Sequence, residues 1–207
     1  MLGAAMPDPA ERQVYLARHG QTAYNHEGRF QGQQAIPLDD TGRGQAAKLA
    51  ERAASYGFQA LWCSPLLRAR ETATIVAAQI GLEPIEDERL METDAGDWTD
   101  RSFADVQAES PELFEDFVSA QPHFAFPGGE SFDQQEARVA AALELIEAGA
   151  LPTLVVCHGM VIRAAFYKRF PEVIKGFTRV ANAAIVPFTA DLNASADFGG
   201  GEHTTPS

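Results

Sequence analysis

The chain has 207 residues, 45% of them hydrophobic and 22% charged, with a formal net charge of −13. This composition is ordinary for a globular protein with a substantial core, and the length fits a single domain spanning 1–207 with room for a small insertion. The acidic balance argues against a nucleic-acid partner and against an anionic membrane surface, and Met1 to Arg12 shows neither a signal peptide nor a membrane span.

In chain order, Gln13–Ala17 predicts a buried strand that runs into Arg18-His19-Gly20-Gln21-Thr22. Asp40 or Thr41 can cap a helix reaching about Tyr56, where Gly57 stops it; Ala46, Leu49, Ala50 and Ala53 repeat at helical spacing. Gln59–Cys63 reads as a second strand. Ser64 then suits an N-cap and Pro65 a first helical position, for a helix running to about Ile80. Residues 99–127 read as short helices broken by Pro111 and Pro122, with Phe103, Phe114, Phe117, Phe124 and Phe126 set among acidic residues. They predict a lid over the site, a small helical unit whose aromatics are its own core, or both. Ser131 and Gln134 form a capping-box pattern for a helix ending near Gly149. Thr153–Cys157 is a further strand, followed by His158-Gly159 and a helix over Met160–Phe170 that Pro171 stops. Ala183–Phe188 reads as a late strand, and residues 199–207 as a flexible tail.

Apolar runs alternating with helical stretches predict an α/β three-layer sandwich, a mostly parallel central sheet flanked by helices. Cys63 and Cys157 lie inside strand-like runs and read as buried thiols of a reducing compartment, which points to the cytoplasm. Their spacing and neighbours suggest no zinc site.

Two predicted strands each end in His-Gly, and ligands of open α/β sheets bind at the carboxyl ends of strands. The second of these steps also opens a helix, whose N-terminal amides suit an anion. The pattern Arg18-His19-Gly20-x-Thr22-x-x-Asn25, with the later His158-Gly159, resembles the histidine phosphatase superfamily of phosphoglycerate mutases and broad phosphatases. The resemblance continues, in family order, through Gly28-Arg29-Phe30-Gln31-Gly32, Pro37-Leu38 with Thr41-Gly42, and Ser64-Pro65-Leu66-Leu67-Arg68-Ala69 with Thr72-Ala73. Leu90-Met91-Glu92 with Gly96 and Trp98, then Gly128-Gly129-Glu130-Ser131, complete it over about residues 13–188. It departs from the family at Gln21, where many members have glutamate, and at Trp98-Thr99-Asp100, which replaces the usual tryptophan-glutamate-glycine.

The resemblance implies a phosphoglycerate mutase-like fold, into which the segment over about 99–127 is inserted. It implies a phosphoryl-transfer site with His19 as nucleophile and with Arg18, Arg68 and His158 around the phosphate. Arginine's planar fork suits phosphate oxygens, and cations beside a histidine keep its ring neutral. Glu92 is the implied proton donor: a carboxyl held against a phosphate dianion keeps a proton that it can pass to the leaving oxygen. Asn25, Gln31 and the amide of Gly159 are secondary phosphate contacts, and Gly32 with Gly20 supplies backbone geometry. Neither metal nor other cofactor is expected. His26, His123 and His203 read as surface residues, as do Arg43, Arg52 and Arg70.

The family's mutases place extra basic residues after the acid motif. Here Glu92 is followed by Asp94, Asp97 and Asp100, and Arg101 is the only lysine or arginine between Glu92 and Arg138. The expected activity is therefore hydrolysis of a small phosphate monoester with a neutral or apolar organic part. Mutase-type phosphoryl transfer and a catalytically silent phospho-ligand binder are the alternatives. The sequence leaves the oligomeric state open, a homodimer included.

Overall fold

The strands are Val14–Arg18 (β1), Ala60–Cys63 (β2), Pro84–Glu86 (β3), Thr153–Cys157 (β4) and Ile185–Pro187 (β5). In the computed structural model, which describes residues 13–121, 123–174 and 180–190, they form one sheet in the order β3-β2-β4-β1-β5. β1 and β4 are buried throughout, as central parallel strands must be. They pair in parallel with Arg18 opposite Cys157. β2 and β3 extend the parallel arrangement, and β5 closes the other edge antiparallel to β1.

Alternate residues of a strand face opposite sides of a sheet. Val14, Leu16, Val155, Cys157 and Val186 accordingly pack on one face, against Phe132–Glu147 (α6) and Gly159–Arg169 (α7). Tyr15, Ala17, Leu154, Val156 and Ile185 face the other side, against Asp40–Ala53 (α2) and Leu67–Ile80 (α3). This is the three-layer α/β sandwich that the alternating pattern predicts. Cys63 and Cys157 are both buried free thiols; burial pushes Cys63 up to about 12 and Cys157 higher still.

Several boundaries differ from expectation. Asp39, not Asp40 or Thr41, caps α2, its carboxylate accepting from the Gly42 amide at 2.7 Å. The helix ends at Ala53, and turns carry the chain on to Gly57 in the left-handed region. Ser64 is not a helix cap: α3 begins at Leu67 after Leu66, without a side-chain cap. The Ser64 hydroxyl instead accepts from the Leu66 amide at 3.2 Å, a local turn that competes with helix initiation. β3 has three residues, opens on a proline and lies at the sheet edge; it had no periodic signal to read. The Ser131–Gln134 capping box is present, and α6 ends at Glu147. α7 starts one residue before the expected Met160 and ends at Arg169, ahead of the four-residue α8 (Pro171–Ile174). The 199–207 tail lies outside the described residues.

Between the sheet's first and second halves lie Phe103–Glu109 (α4) and Pro111–Val118 (α5), with Ala23–Glu27 (α1) nearby in the chain after β1. Pro111 opens α5 at a position where its missing N–H costs nothing. The aromatics of this segment pack on one another: Phe103, Phe114, Phe117, Phe124 and Phe126 cluster with Phe30, Trp98 and Phe132. They are the core of a small helical unit, and Met160 at the start of α7 joins them.

Candidate active site

The pairing of β1 with β4 sets the two His-Gly steps side by side. The His19 amide donates to the Cys157 carbonyl at 3.0 Å, and the ring centroids of His19 and His158 lie 5.1 Å apart. His19 is 2% exposed and His158 is fully buried. Nδ1 of His19 is 2.6 Å from the Gly20 carbonyl, an obligate acceptor, so Nδ1 carries the proton and Nε2 the lone pair. Burial, then the charges of Arg68 and Arg18, holds His19 well below the ordinary histidine pKa, so the ring is neutral at pH 7. Nε2 of His158 meets the Ser64 hydroxyl at 2.8 Å, while its buried Nδ1 has no hydrogen-bond partner among the described residues. Burial, then Arg68, His19, Arg18 and Arg138, lowers the pKa of His158 as well.

Arg18, the last residue of β1, donates from Nη1 to the Val180 carbonyl at 2.7 Å. Its guanidinium lies beside the start of α7: a side-chain carbon on Gly159 would stand 3.7 Å from its Nε. Arg68, the second residue of α3, is 1% exposed and donates to the carbonyls of Gly32 at 2.8 Å and Gln34 at 3.0 Å. Its Nε has no hydrogen-bond partner among the described residues. Burial lowers Arg68 to about 10, opposed by the charge of Glu92, so it stays protonated at pH 7.

The loops are held by close backbone packing. Gly20 faces Gly42 at the start of α2, and a side chain on either would run into the other segment's backbone. The Gly20 amide also donates to the Thr72 hydroxyl at 3.1 Å, which donates to the Arg68 carbonyl at 2.8 Å. Thr72 thus ties the histidine loop to the arginine helix. Gly32 has a φ of +49°, and a side chain there would meet Thr99 and Ala95. Thr22 is fully buried and caps α1; its hydroxyl donates to Gln31 Oε1 at 2.9 Å and lies 3.2 Å from Asn25 Oδ1. Asn182 donates to Asn25 Oδ1 and to the His19 carbonyl, both at 3.1 Å. The oxygens of Asn25 and Gln31 are therefore engaged, and their amide NH2 groups make no hydrogen bond to described residues.

Glu92 completes the cluster. Its carboxylate accepts from the Thr93 amide at 3.0 Å and, at 3.4 Å, from the Met160 amide in the first turn of α7. Its carbonyl accepts from Gln33 and from Arg138. The structure thus brings Arg18, His19, Arg68, Glu92, His158 and Gly159 together, with Asn25 in the adjoining first turn of α1 and Gln31 and Gly32 in the loop after it. The other histidines behave as surface groups: His26 is exposed, and exposed His123 pairs with Asp133; His203 is outside the described residues. Arg43 and Arg70 pair with Asp40 and Glu86, while Arg52 reaches in from α2 to the Ala183 carbonyl at 2.6 Å.

Four contributors were not foreseen: Ser64, Asn182, and the pair Glu130–Arg138. Ser64 was legible as a cap and as the opening of the Arg68 motif but not as a partner of His158, and Asn182 stands in no recognisable pattern. Glu130 sits in the Gly128-Gly129-Glu130-Ser131 motif, but its ion-pair partner could not be read from spacing.

The sequence profile described as the histidine phosphatase superfamily (branch 1) matches residues 14–191, nearly the whole of the described fold. The chain belongs to the histidine phosphatase superfamily. Among curated members of this superfamily it is 38% identical over 153 residues to a probable phosphoglycerate mutase of Klebsiella pneumoniae, covering 72% of this chain and 71% of that one. Among solved structures it is similar to a mycobacterial glucosyl-3-phosphoglycerate phosphatase, with 30% identity and a TM-score of 0.74 over 85% of this chain and 89% of that one. It is also similar to Bacillus stearothermophilus YhfR, with 29% identity and a TM-score of 0.77 over 84% and 89%. Among the described residues no cluster of three or more His, Cys, Asp or Glu side chains could hold a metal, and no helix is long and apolar enough to cross a membrane.

Proposed function

We propose that this histidine phosphatase superfamily member is a phosphomonoesterase working through a phosphohistidine on His19. The observation that carries the reading is the neutral, buried His19 ring. Its Nδ1 proton is fixed on the Gly20 carbonyl, leaving the Nε2 lone pair among two guanidiniums and a second histidine.

In the first step the Nε2 lone pair attacks phosphorus and the bond to the leaving oxygen breaks. That oxygen takes the proton of Glu92 and departs as an alcohol. Arg18, Arg68, the Gly159 amide and the NH2 groups of Asn25 and Gln31 hold the remaining phosphoryl oxygens. His158 becomes protonated as the phosphate dianion enters and donates to one of them. In the second step Glu92, now a carboxylate, takes a proton from water as the water attacks phosphorus. The N–P bond breaks, inorganic phosphate leaves and neutral His19 is restored. Residues 99–127 serve as the lid, joined to the site through Thr99 beside Gly32.

Hydrolysis is favoured over mutase transfer by the state of the nearby cations. Arg101 pairs with Glu109 at 2.6 Å and Arg138 with Glu130 at 2.6 Å, so both are committed to carboxylates of this chain. That suits a small ester with an uncharged organic part, in a chain that we place in the cytoplasm with a small phosphate ester as its partner. The mutase reading is kept because a curated relative carries that name.

The test is release of phosphate from p-nitrophenyl phosphate in excess EDTA, beside conversion of 3-phosphoglycerate to 2-phosphoglycerate with 2,3-bisphosphoglycerate present. We expect hydrolysis by the wild type and a loss of at least about a thousandfold in His19→Ala. Isomerisation at a rate comparable to hydrolysis would make the enzyme a mutase. Binding without turnover in either assay would make it a phospho-ligand binder.

A further inference from the structure

We propose that Arg138, clamped by Glu130, is a positioning residue that sets the Glu92 carboxyl for proton transfer to the leaving group. The inference rests on the reading of Glu92 as proton donor.

Arg138 lies in the second turn of α6 and spends both terminal nitrogens of its guanidinium on the segment that carries Glu92. Nη1 donates to the carbonyls of Arg89 at 2.8 Å and Met91 at 2.6 Å, and Nη2 to the carbonyl of Glu92 itself at 3.2 Å. Nε and Nη2 grip the two carboxylate oxygens of Glu130 at 2.6 and 2.8 Å. Both side chains are largely buried, at 19% and 13% exposure. Glu130 then returns to the far side of Glu92: its Oε2 accepts from the Asp94 amide at 3.3 Å, and its own amide donates to the Asp94 carbonyl at 3.0 Å.

Glu92 is therefore held from both sides by one ion pair. Residues 91–95 belong to no strand or helix, so no ladder fixes them. A planar fork with five donors can satisfy three carbonyls and a carboxylate at once; an ammonium cannot. The backbone around the pair is also pressed together, since a side chain on Gly96 would strike the backbone of Pro127–Gly129. Proton transfer is steep in distance, and a displacement of about 1 Å costs on the order of a hundredfold in rate. A pair devoted to this segment makes geometric control of Glu92 its chemical consequence.

The experiment compares two esters. p-Nitrophenyl phosphate has a leaving oxygen that departs as a stable anion, whereas a simple alkyl phosphate needs a proton. The readout is kcat/KM for the alkyl ester divided by that for the p-nitrophenyl ester, together with the melting temperature. Glu92→Gln is expected to lower this ratio sharply. Arg138→Lys keeps a positive charge opposite Glu130 but loses the fork, and is expected to lower the ratio about tenfold or more. Glu130→Gln, nearly isosteric, is expected to lower it in the same direction and decides the matter where Arg138→Lys does not fold. A purely structural pair would lower the melting temperature and both activities together, with the ratio unchanged. That result, with the ratio falling in Glu92→Gln, overturns the proposal and leaves Glu92 as donor. An unchanged ratio in Glu92→Gln removes the donor reading and the proposal with it.

Discussion

At the scale of single residues, the two histidines to which the proposed mechanism gives the chemistry, His19 and His158, also carry a cost. Burial beside Arg68 and Arg18 keeps both rings neutral where a solvated histidine begins to charge. In the unfolded chain each titrates near a pKa of about 6.5. Below that value the unfolded state binds protons that the native state refuses, so stability falls with pH. The contribution is fully present above the unfolded value and is lost as pH drops toward the lowered native values, by up to about 1.4 kcal/mol per pH unit for each ring. Urea unfolding should therefore give a smaller unfolding free energy at pH 5.5 than at pH 7.5, and a shallower fall in His19→Ala. Inorganic phosphate, whose charge favours a protonated His158, should recover part of the loss. Equal stability at the two pH values would contradict the buried, neutral pair.

At the scale of elements, the site depends on how closely the histidine loop and the start of α2 approach. Gly42 and Gly44 lie two residues apart in one helix with opposite surroundings. A methyl group on Gly42 strikes the Gln21 backbone, whereas one on Gly44 meets nothing within 4 Å. Gly42→Ala is expected to destabilise by about 1–3 kcal/mol and to reduce turnover by displacing the loop. Gly44→Ala is expected to stabilise by up to about 1 kcal/mol with activity unchanged. Thermal melts and a p-nitrophenyl phosphate assay on both variants check this. The same scale shows what the sequence could reveal. β1, β4 and α7 were legible because an unbroken apolar run ending in His-Gly has few other readings. β3 was not, because three residues at a sheet edge carry no period. Ser64 was misread because a hydroxyl before a proline suits a cap and a tight turn equally well. The hold of Arg138 on Arg89, Met91 and Glu92 crosses more than 45 residues of chain to backbone carbonyls, which no side-chain pattern encodes.

At the scale of the molecule, the proposed function asks a chain of net charge −13 to take up an anion. The field of the whole surface opposes this, but salt screens it within about 8–10 Å, whereas contacts in a buried pocket are screened far less. Arg18 and Arg68, buried at strand and helix ends, supply the local positive charge. The aromatic cluster around Trp98 and Phe117 keeps the neighbouring helical unit packed without adding cations to the site. The central claim of the whole arrangement is that the phosphoryl group passes through His19. The most direct measurement is rapid acid quench of Glu92→Gln mixed with a radiolabelled p-nitrophenyl phosphate, followed by peptide mapping. On the proposed mechanism this variant still forms the intermediate, because the leaving group needs no proton, but hydrolyses it slowly. The account predicts label approaching one per chain on His19, stable in base and labile to prolonged acid, and none when His19→Ala is added. Label on another residue, or label undiminished by His19→Ala, would contradict it.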